Sequence, residues 1–122
     1  MLNVDYRDAR PIYEQVASGI EDLVVHGVYS ADVQLPSVRQ LAAELSINPN
    51  TIQRAFALLE SKGVIYSVKG RGNFVSADGA LVRERRLAEI SMKLRSLAKA
   101  ARALGADDTA IAGWVLGKEE NE

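Results

Sequence analysis

Two helix start signals lie close together in the middle of the sequence, and they constrain the fold more than any other feature. Ser37 and Gln40 match a capping box, in which each side chain bonds to the backbone amide of the other residue. Asn48 and Pro49 form the second signal, because asparagine caps helices and proline suits the first helical position, where no N–H is needed. We therefore predict one helix that starts at Ser37 and another that starts at Pro49, separated by a very short turn.

Each of these predicted helices has a single apolar stripe. Residues spaced at i, i+3, i+4 and i+7 share one helix face, and here they are Val38, Leu41, Ala42 and Leu45, then Ile52, Ala55, Phe56 and Leu59. The second helix leaves Asn50, Thr51, Gln53 and Arg54 on its other side, and Gly63 is its predicted C-terminal cap. Such polar side chains donate to phosphates or base edges, and a helix N-terminus adds free amides. The pattern is typical of a helix-turn-helix that binds DNA.

Two β-rich runs follow, Val64 to Val68 and Asn73 to Val75. The tetrapeptide between them, Lys69-Gly70-Arg71-Gly72, predicts a hairpin turn with two cations at its tip. A hairpin at this place is the wing of a winged helix-turn-helix, and it can reach a neighbouring groove or the DNA backbone. The predicted fold class is mainly α with a small β wing.

A longer amphipathic helix precedes the motif. Pro11 suits its first turn, Gly27 closes it, and its apolar stripe consists of Ile12, Val16, Ile20, Leu23 and Val24. We predict that this helix packs across the other two as a scaffold. His26 lies in its last turn, where the helix dipole favours an imidazole or a cation. A structural or surface role is therefore predicted for it.

The loop before the motif contains a short alternating pattern. Val33 and Leu35 alternate with Gln34, which predicts a strand that can add to the wing sheet. Two tyrosines have two interpretations each, as core aromatics or as DNA-facing hydroxyls. The core interpretation is favoured for Tyr13, and both stay open for Tyr66.

The same residues resemble the DNA-binding domain of the GntR transcriptional regulators. The similar stretches occur in the family's order: Pro11-Ile12-Tyr13-Glu14-Gln15, Leu35-Pro36-Ser37-Val38-Arg39-Gln40-Leu41-Ala42, Asn48-Pro49-Asn50-Thr51-Ile52, Leu59-Glu60-Ser61-Lys62-Gly63 and Gly70-Arg71-Gly72-Asn73-Phe74-Val75. Ala31 and Asn73 depart from the glycine and threonine that are usual at a turn and in the wing of the family.

The resemblance implies sequence-specific binding of an operator in double-stranded DNA. The implied contact residues are Ser37, Arg39, Asn48, Asn50, Thr51, Gln53, Arg54, Lys69, Gly70 and Arg71. Arg39 corresponds to the arginine of the family's Pro-Ser-x-Arg motif. By resemblance, Asn50 and Thr51 position phosphates, while Gln53 and Arg54 contact base edges or adjacent phosphates.

The last third of the chain predicts a C-terminal helical hairpin. The polar stretch Ser76 to Gly79 predicts a hinge between a DNA-binding domain, 1–76, and a helical dimerisation region, 77–122. A long helix follows and ends at Gly105, and then Asp107, Asp108 or Thr109 caps a short helix.

The long helix has a heptad pattern, because Leu87, Ile90, Leu94, Leu97, Ala101 and Leu104 repeat at alternating spacings of three and four. This stripe can pack back on the winged domain or against a second copy of the chain. The second is favoured, since two-fold symmetric proteins bind two half-sites of DNA. The predicted dimerisation residues are Leu87, Ile90, Leu94, Leu97, Leu104, Ile111 and Trp114, with Val115 on the same face of the short helix. This part also resembles the YtrA subfamily of the GntR family, whose members dimerise through such helices.

Composition and charge narrow the possible classes of protein. With 122 residues, of which 48% are hydrophobic and 25% charged, the chain has the size and composition of a globular domain. It contains no cysteine, no long apolar run and no signal segment, so we expect a cytoplasmic protein with no membrane partner. Residues 1–33 carry a net charge of −4 and residues 34–76 carry +3. The positive charge is where DNA contact is predicted.

The sequence does not predict an enzyme. There is one histidine and no cysteine, no metal-ligand spacing and no nucleophile with a base, so no catalytic residue, metal or cofactor is expected. The favoured function is a homodimeric repressor that binds a palindromic operator, and the alternative is a winged-helix module that docks a protein. An activator is a third interpretation, which differs from a repressor only in promoter geometry. The exposed face of the second motif helix favours DNA, because a docking module would present aromatic or aliphatic side chains there. A small-molecule effector is possible, and the sequence does not identify it.

Overall fold

The computed structural model of the protein describes residues 2–76 and 78–117. Its elements are α1 (Ile12–Val25), α2 (Val38–Leu45), α3 (Pro49–Ser61), β1 (Ile65–Val68), β2 (Gly72–Val75), α4 (Gly79–Ala103) and α5 (Asp108–Leu116). This mainly α fold with a two-stranded antiparallel sheet confirms the predicted fold class. Ala77, within the predicted hinge, and residues 118–122, at the end of the predicted dimerisation region, lie outside the described residues. No helix in the described ranges is both long and apolar enough to cross a membrane.

The helix-turn-helix is set by local caps, as the sequence predicts. The Gln40 amide donates to Ser37 Oγ at 3.1 Å, and the Ser37 amide donates to Gln40 Oε1 at 3.0 Å. The Asn50 amide donates to Asn48 Oδ1 at 2.8 Å. Between the helices the backbone reverses at Ser46, which has a left-handed φ of 54°. Both start signals are confirmed, with Ser37 as the N-cap of α2 rather than its first helical residue.

The core lies between α1, α2, α3 and the wing. It consists of Val16, Ala17, Ile20, Val24, Leu35, Leu41, Ala42, Ile52, Ala55, Phe56, Leu59, Val64, Ile65, Val75 and Val82. All four stripe residues of α3 are buried, so its opposite face is the one that solvent reaches. In α2, Leu41 and Ala42 are buried, and Val38 and Leu45 pack against the core from its edge. Burial at this scale supplies most of the stability of such a small domain.

Two polar residues of α1 are buried, and the apolar stripe did not predict them. The Gln15 side chain both accepts a hydrogen bond from the segment before α1 and donates hydrogen bonds to it. Its Oε1 accepts from the Asp5 amide at 2.8 Å, and its Nε2 donates to the backbone carbonyls of Asp5 and Arg10. Glu21 lies 3.6 Å from Lys62 Nζ, so an ion pair joins α1 to the end of α3. Leu23, which the stripe included, is only half-buried.

The wing is a hairpin with a three-residue loop, and the segment before α2 lies beside it. β1 and β2 pair in register from Ile65↔Val75 to Val68↔Gly72. Gly72 therefore belongs to β2. The loop consists of residues 69–71 and is one residue shorter than the predicted tetrapeptide turn. The predicted short strand is reduced to one isolated antiparallel bridge between Gln34 and Phe74, although Val33 and Leu35 also form backbone hydrogen bonds with β2.

The chain forms two compact units, Met1–Glu84 and Arg85–Glu122. The start of α4 belongs to the first of them, because Val82 is only 1% exposed. Gly79 lies against the end of α1: a Cβ at this position would be 2.7 Å from the carbonyl oxygen of Val24, so only glycine fits without a shift. The predicted division of function at residue 76 stays a prediction.

Within the second unit, α4 and α5 are joined by a short connection. α4 ends as predicted before Gly105, which has a φ of 99°. Asp107 is the N-cap of α5, and its carboxylate accepts from the Ala110 amide at 2.8 Å. Arg102 Nε donates to Asp108 Oδ1 at 2.7 Å, which links the end of one helix to the start of the next.

Candidate nucleic-acid interface

The exposed face of α3 is the centre of the candidate interface. Asn50, Gln53 and Arg54 are exposed and Thr51 is half-buried. Because successive helical residues are rotated by about 100°, Asn50 lies in the middle of this face, with Gln53 on one flank and Arg54 on the other. Apart from Pro49 at the helix start, Ala57 is the one exposed apolar residue of α3, a helix that the structure describes in full. A polar surface of this kind suits hydrogen bonds to DNA better than it suits an apolar partner.

Two of the predicted contact residues also serve as helix caps. The Ser37 hydroxyl oxygen and the side-chain Oδ1 of Asn48 each accept a hydrogen bond from a backbone amide, and both residues are exposed. The Ser37 hydroxyl keeps its proton for donation, and the Asn48 side chain keeps its NH₂ group. Each can therefore cap a helix and donate to a phosphate at the same time.

Arg39 stands in the first turn of α2, away from the buried stripe. Its side chain is exposed, whereas Leu41 and Ala42 face the core. Its planar guanidinium is suited to paired hydrogen bonds with a phosphate or a guanine edge. The structure thus places Arg39 on the surface, where the sequence predicts it.

Arg54 has an aromatic partner that the sequence did not reveal. Its guanidinium carbon lies 4.0 Å from the centre of the Tyr13 ring, which comes from the first turn of α1. Beside this pair is a shallow depression of about 320 Å³, lined also by Ile12, Asn50 and Thr51. Tyr13 packs against the edge of the core, as favoured from the sequence, and it also shapes the surface of the interface. Helical periodicity within α1 alone cannot show which residue of α3 it meets.

The wing tip carries the two predicted cations, Lys69 and Arg71, both exposed. Gly70 between them has a φ of 78°, a left-handed conformation that glycine adopts without strain. Gln34 fixes the other side of the tip, because its Nε2 donates to the Arg71 carbonyl at 2.6 Å. Gly72 has a φ of 124°, which favours glycine, and a Cβ there would come within 2.8 Å of that Nε2 and displace the Gln34 side chain. Gln34 was predicted as a strand residue only, and its role at the tip was missed.

Tyr66 braces the wing rather than joining the core. Its ring stacks on Phe74 with centroids 5.6 Å apart, and its hydroxyl donates to Asp32 Oδ1 at 2.9 Å. This hydrogen bond to the carboxylate, together with partial desolvation, raises the pKa of Tyr66 above its ordinary value. The same hydrogen bond ties the turn at Asp32 to β1.

The second unit leaves its predicted dimerisation residues largely uncovered. Those that are exposed in the isolated chain are Leu87, Ile90, Leu94, Leu97, Leu104 and Trp114, with fractional exposures from 46% for Leu94 to 91% for Leu104. Ile111 is half-buried. In α5, Leu116 is exposed as well as Val115, so this helix has apolar side chains beyond the one predicted face.

A short turn between two capped helices, a polar exposed second helix and a basic β-hairpin together define a winged helix-turn-helix DNA-binding protein. The model of the family described as "Bacterial regulatory proteins, gntR family" matches residues 12–75, from the start of α1 to the end of β2. The chain belongs to this family and is a transcriptional regulator with a DNA-binding domain. Its family and relatives are regulators, not enzymes.

Similarity to individual proteins extends beyond the winged unit. The chain is 34% identical over 117 residues to the HTH-type transcriptional repressor YtrA of Bacillus subtilis (strain 168), covering 94% of this chain and 89% of that protein. A GntR family transcriptional regulator from Listeria monocytogenes superposes with a TM-score of 0.71 at 34% identity, over 90% of this chain and 96% of that one. AraR(DBD) in complex with operator ORE1 superposes with a TM-score of 0.55 at 29% identity, over 62% of this chain and 93% of that one.

Proposed function

We propose that the protein is a homodimeric transcriptional repressor that binds a palindromic operator and works in the cytoplasm. In this proposal residues 1–76 of each copy bind one half-site, and residues 77–122 hold the two copies together. The ten predicted contact residues, from Ser37 to Arg71, supply the contacts to bases and phosphates.

The observation that carries the DNA-binding part is the exposed face of α3. Its stripe residues fill the core, so Asn50, Gln53 and Arg54 are presented to solvent on a rigid helix. The wing adds Lys69 and Arg71 at the tip of a hairpin. Residues 34–76 carry a net charge of +3, which favours a polyanionic partner. AraR(DBD), which this chain resembles in structure, was solved in complex with an operator, and this supports the same kind of partner for the protein.

The support for a dimer comes from the apolar side chains of α4 and α5. A row of leucine and isoleucine at heptad spacing is exposed in the single chain. Exposed apolar stripes of this kind mark interaction surfaces, and a heptad stripe packs most readily against an equivalent helix. A two-fold pair of winged units would match an operator with two-fold symmetry. Repression is proposed because the similar Bacillus subtilis protein YtrA is a transcriptional repressor.

A selection experiment tests this proposal. The full chain is incubated with a library of randomised duplexes, and the enriched sequences are read after several rounds. We expect a palindrome with two half-sites, bound by two chains in sedimentation velocity, and lower expression of a reporter placed behind it. The control variant Asn50→Ala/Gln53→Ala/Arg54→Ala changes exposed residues only and should give no enriched sequence.

Three results would overturn parts of the proposal. If the wild-type chain enriches no sequence, the protein does not bind DNA specifically, and the alternative of a protein-docking module is favoured. If one chain occupies the enriched site, the homodimer is wrong. If the reporter rises rather than falls, the protein is an activator.

A further inference from the structure

The contact between Tyr13 and Arg54 assigns a role to a residue outside the helix-turn-helix. We propose that Tyr13 is a positioning residue, which holds the Arg54 guanidinium on the α1 flank of α3, where it binds a DNA phosphate rather than a base edge. This inference rests on the proposed function and specifies how one part of the interface works.

The first support is the geometry of the contact between Arg54 and Tyr13. The Arg54 guanidinium carbon lies 4.0 Å from the centroid of the Tyr13 ring, a distance typical of a cation–π contact. The guanidinium contacts the face of the ring, which takes no conventional hydrogen bond from it, so its N–H groups stay available. Those N–H groups are the ones that bind a phosphate in paired hydrogen bonds. The ring therefore restricts the side chain without using its donors.

The second support is that the charge of Arg54 is not neutralised within the protein. Among residues 2–76 and 78–117, no carboxylate forms an ion pair with Arg54. By contrast, Lys62 at the end of the same helix is paired with Glu21. An arginine that is held in place but keeps its full charge is suited to an anionic group from outside the chain.

The third support is the surface beside the pair. The depression of about 320 Å³ is lined by Asn50 and Thr51 as well as by Tyr13 and Arg54. An amide and a hydroxyl next to a guanidinium are the side chains that commonly bind phosphate oxygens. Ile12 at the same place closes the depression on the side of α1.

The position of Arg54 on α3 separates it from Gln53, which is predicted to contact base edges. Gln53 and Arg54 are neighbours in sequence, so their side chains leave the helix about 100° apart. Arg54 leans towards α1, where Tyr13 is, and Gln53 lies on the other flank. With Asn50 between them, one flank of the helix can contact bases while the other contacts the backbone of the DNA.

A double-mutant cycle on DNA affinity tests this inference. The variants are Tyr13→Leu, Tyr13→Phe, Arg54→Ala and Tyr13→Leu/Arg54→Ala, each titrated with the enriched duplex and with a duplex of unrelated sequence. An exposed cation–π contact is worth about a two- to five-fold change in affinity, so we expect Tyr13→Leu to weaken binding by that factor. Tyr13→Phe keeps the aromatic face and should recover most of this loss. In the Arg54→Ala background, Tyr13→Leu should have no further effect.

The phosphate assignment has its own measurement. Arg54→Ala should reduce the slope of log affinity against log salt by about one unit, because about one counterion fewer is released. It should weaken the enriched duplex and its single-base variants alike. Tyr6→Leu is the matched control for Tyr13→Leu, since Tyr6 is 72% exposed and lies outside the interface. It should leave DNA affinity unchanged. Circular dichroism and thermal melting establish that each variant is folded.

The possible outcomes separate this inference from the proposed function. Additive effects of Tyr13→Leu and Arg54→Ala, or no recovery with Tyr13→Phe, would show that Tyr13 does not act through Arg54. A change in which bases are preferred after Arg54→Ala, with an unchanged salt slope, would assign Arg54 to base contact and overturn the phosphate role. In both cases wild-type binding to the enriched duplex is intact. Loss of wild-type binding would instead refute the proposed function and this inference with it.

Discussion

Replacing Leu94 and Leu97 by glutamate tests whether the heptad stripe of α4 holds two copies of the chain together. In the single chain Leu94 is 46% exposed and Leu97 is 68% exposed, so about half of the first and two-thirds of the second is available for burial by a partner. Complete burial of a leucine is worth about 1.5–3 kcal/mol, which leaves about 0.7–1.4 kcal/mol for Leu94 and about 1–2 kcal/mol for Leu97. A symmetric dimer contains four such side chains, and the total is about 3–7 kcal/mol.

Loss of this free energy should raise the dissociation constant of the dimer by a factor of at least about a hundred, because each 1.4 kcal/mol is a tenfold change in the constant. The introduced carboxylates would also have to lose water in the interface, which adds to the effect. The protomer should keep its fold, since neither leucine belongs to the buried core. We therefore expect a folded monomer in sedimentation velocity, with a steep loss of operator affinity, because the two half-sites are no longer bound by linked units.

The control is Met92→Glu/Ser96→Glu, which adds the same two charges to exposed positions of α4 outside the heptad pattern. It should remain dimeric with normal circular dichroism. If the wild-type chain were monomeric at micromolar concentration, or if Leu94→Glu/Leu97→Glu still formed dimers, the assignment of the C-terminal region would be refuted.

Three further predictions concern the DNA contacts. Arg39→Ala should weaken operator binding by about 1–3 kcal/mol if its guanidinium makes a paired contact to a base, and a titration with unchanged affinity and normal circular dichroism would exclude that role. Exchanging Gln53 should change which operator variants are bound, whereas Thr51→Ala should weaken all of them similarly; the reverse pattern in a selection would overturn both assignments. Neutralising Lys69 and Arg71 together should reduce the salt slope by about one to two units, and an unaltered slope would mean that the wing does not touch DNA.

The elements of this protein could be predicted because their determinants are local. A capping box joins Ser37 to a residue three positions away, and Asn48 bonds to an amide two positions away. Such bonds form in the chain segment itself, whatever packs around it. The heptad pattern of α4 is likewise a property of one segment, and it places the same residues on one helix face in any tertiary context.

The details of the interface needed the tertiary structure. Gln34 bonds to the Arg71 carbonyl across 37 positions of sequence, and Tyr13 meets Arg54 only because α1 packs on α3. Gln15 is buried because the segment before α1 offers it three backbone groups, which an apolar pattern does not register. Helix starts, the hairpin and the apolar stripes are thus determined by sequence alone, since each depends on residues a few positions apart. The partners of Tyr13, Gln15 and Gln34 were decided only by packing, because such contacts depend on how distant segments are oriented against one core.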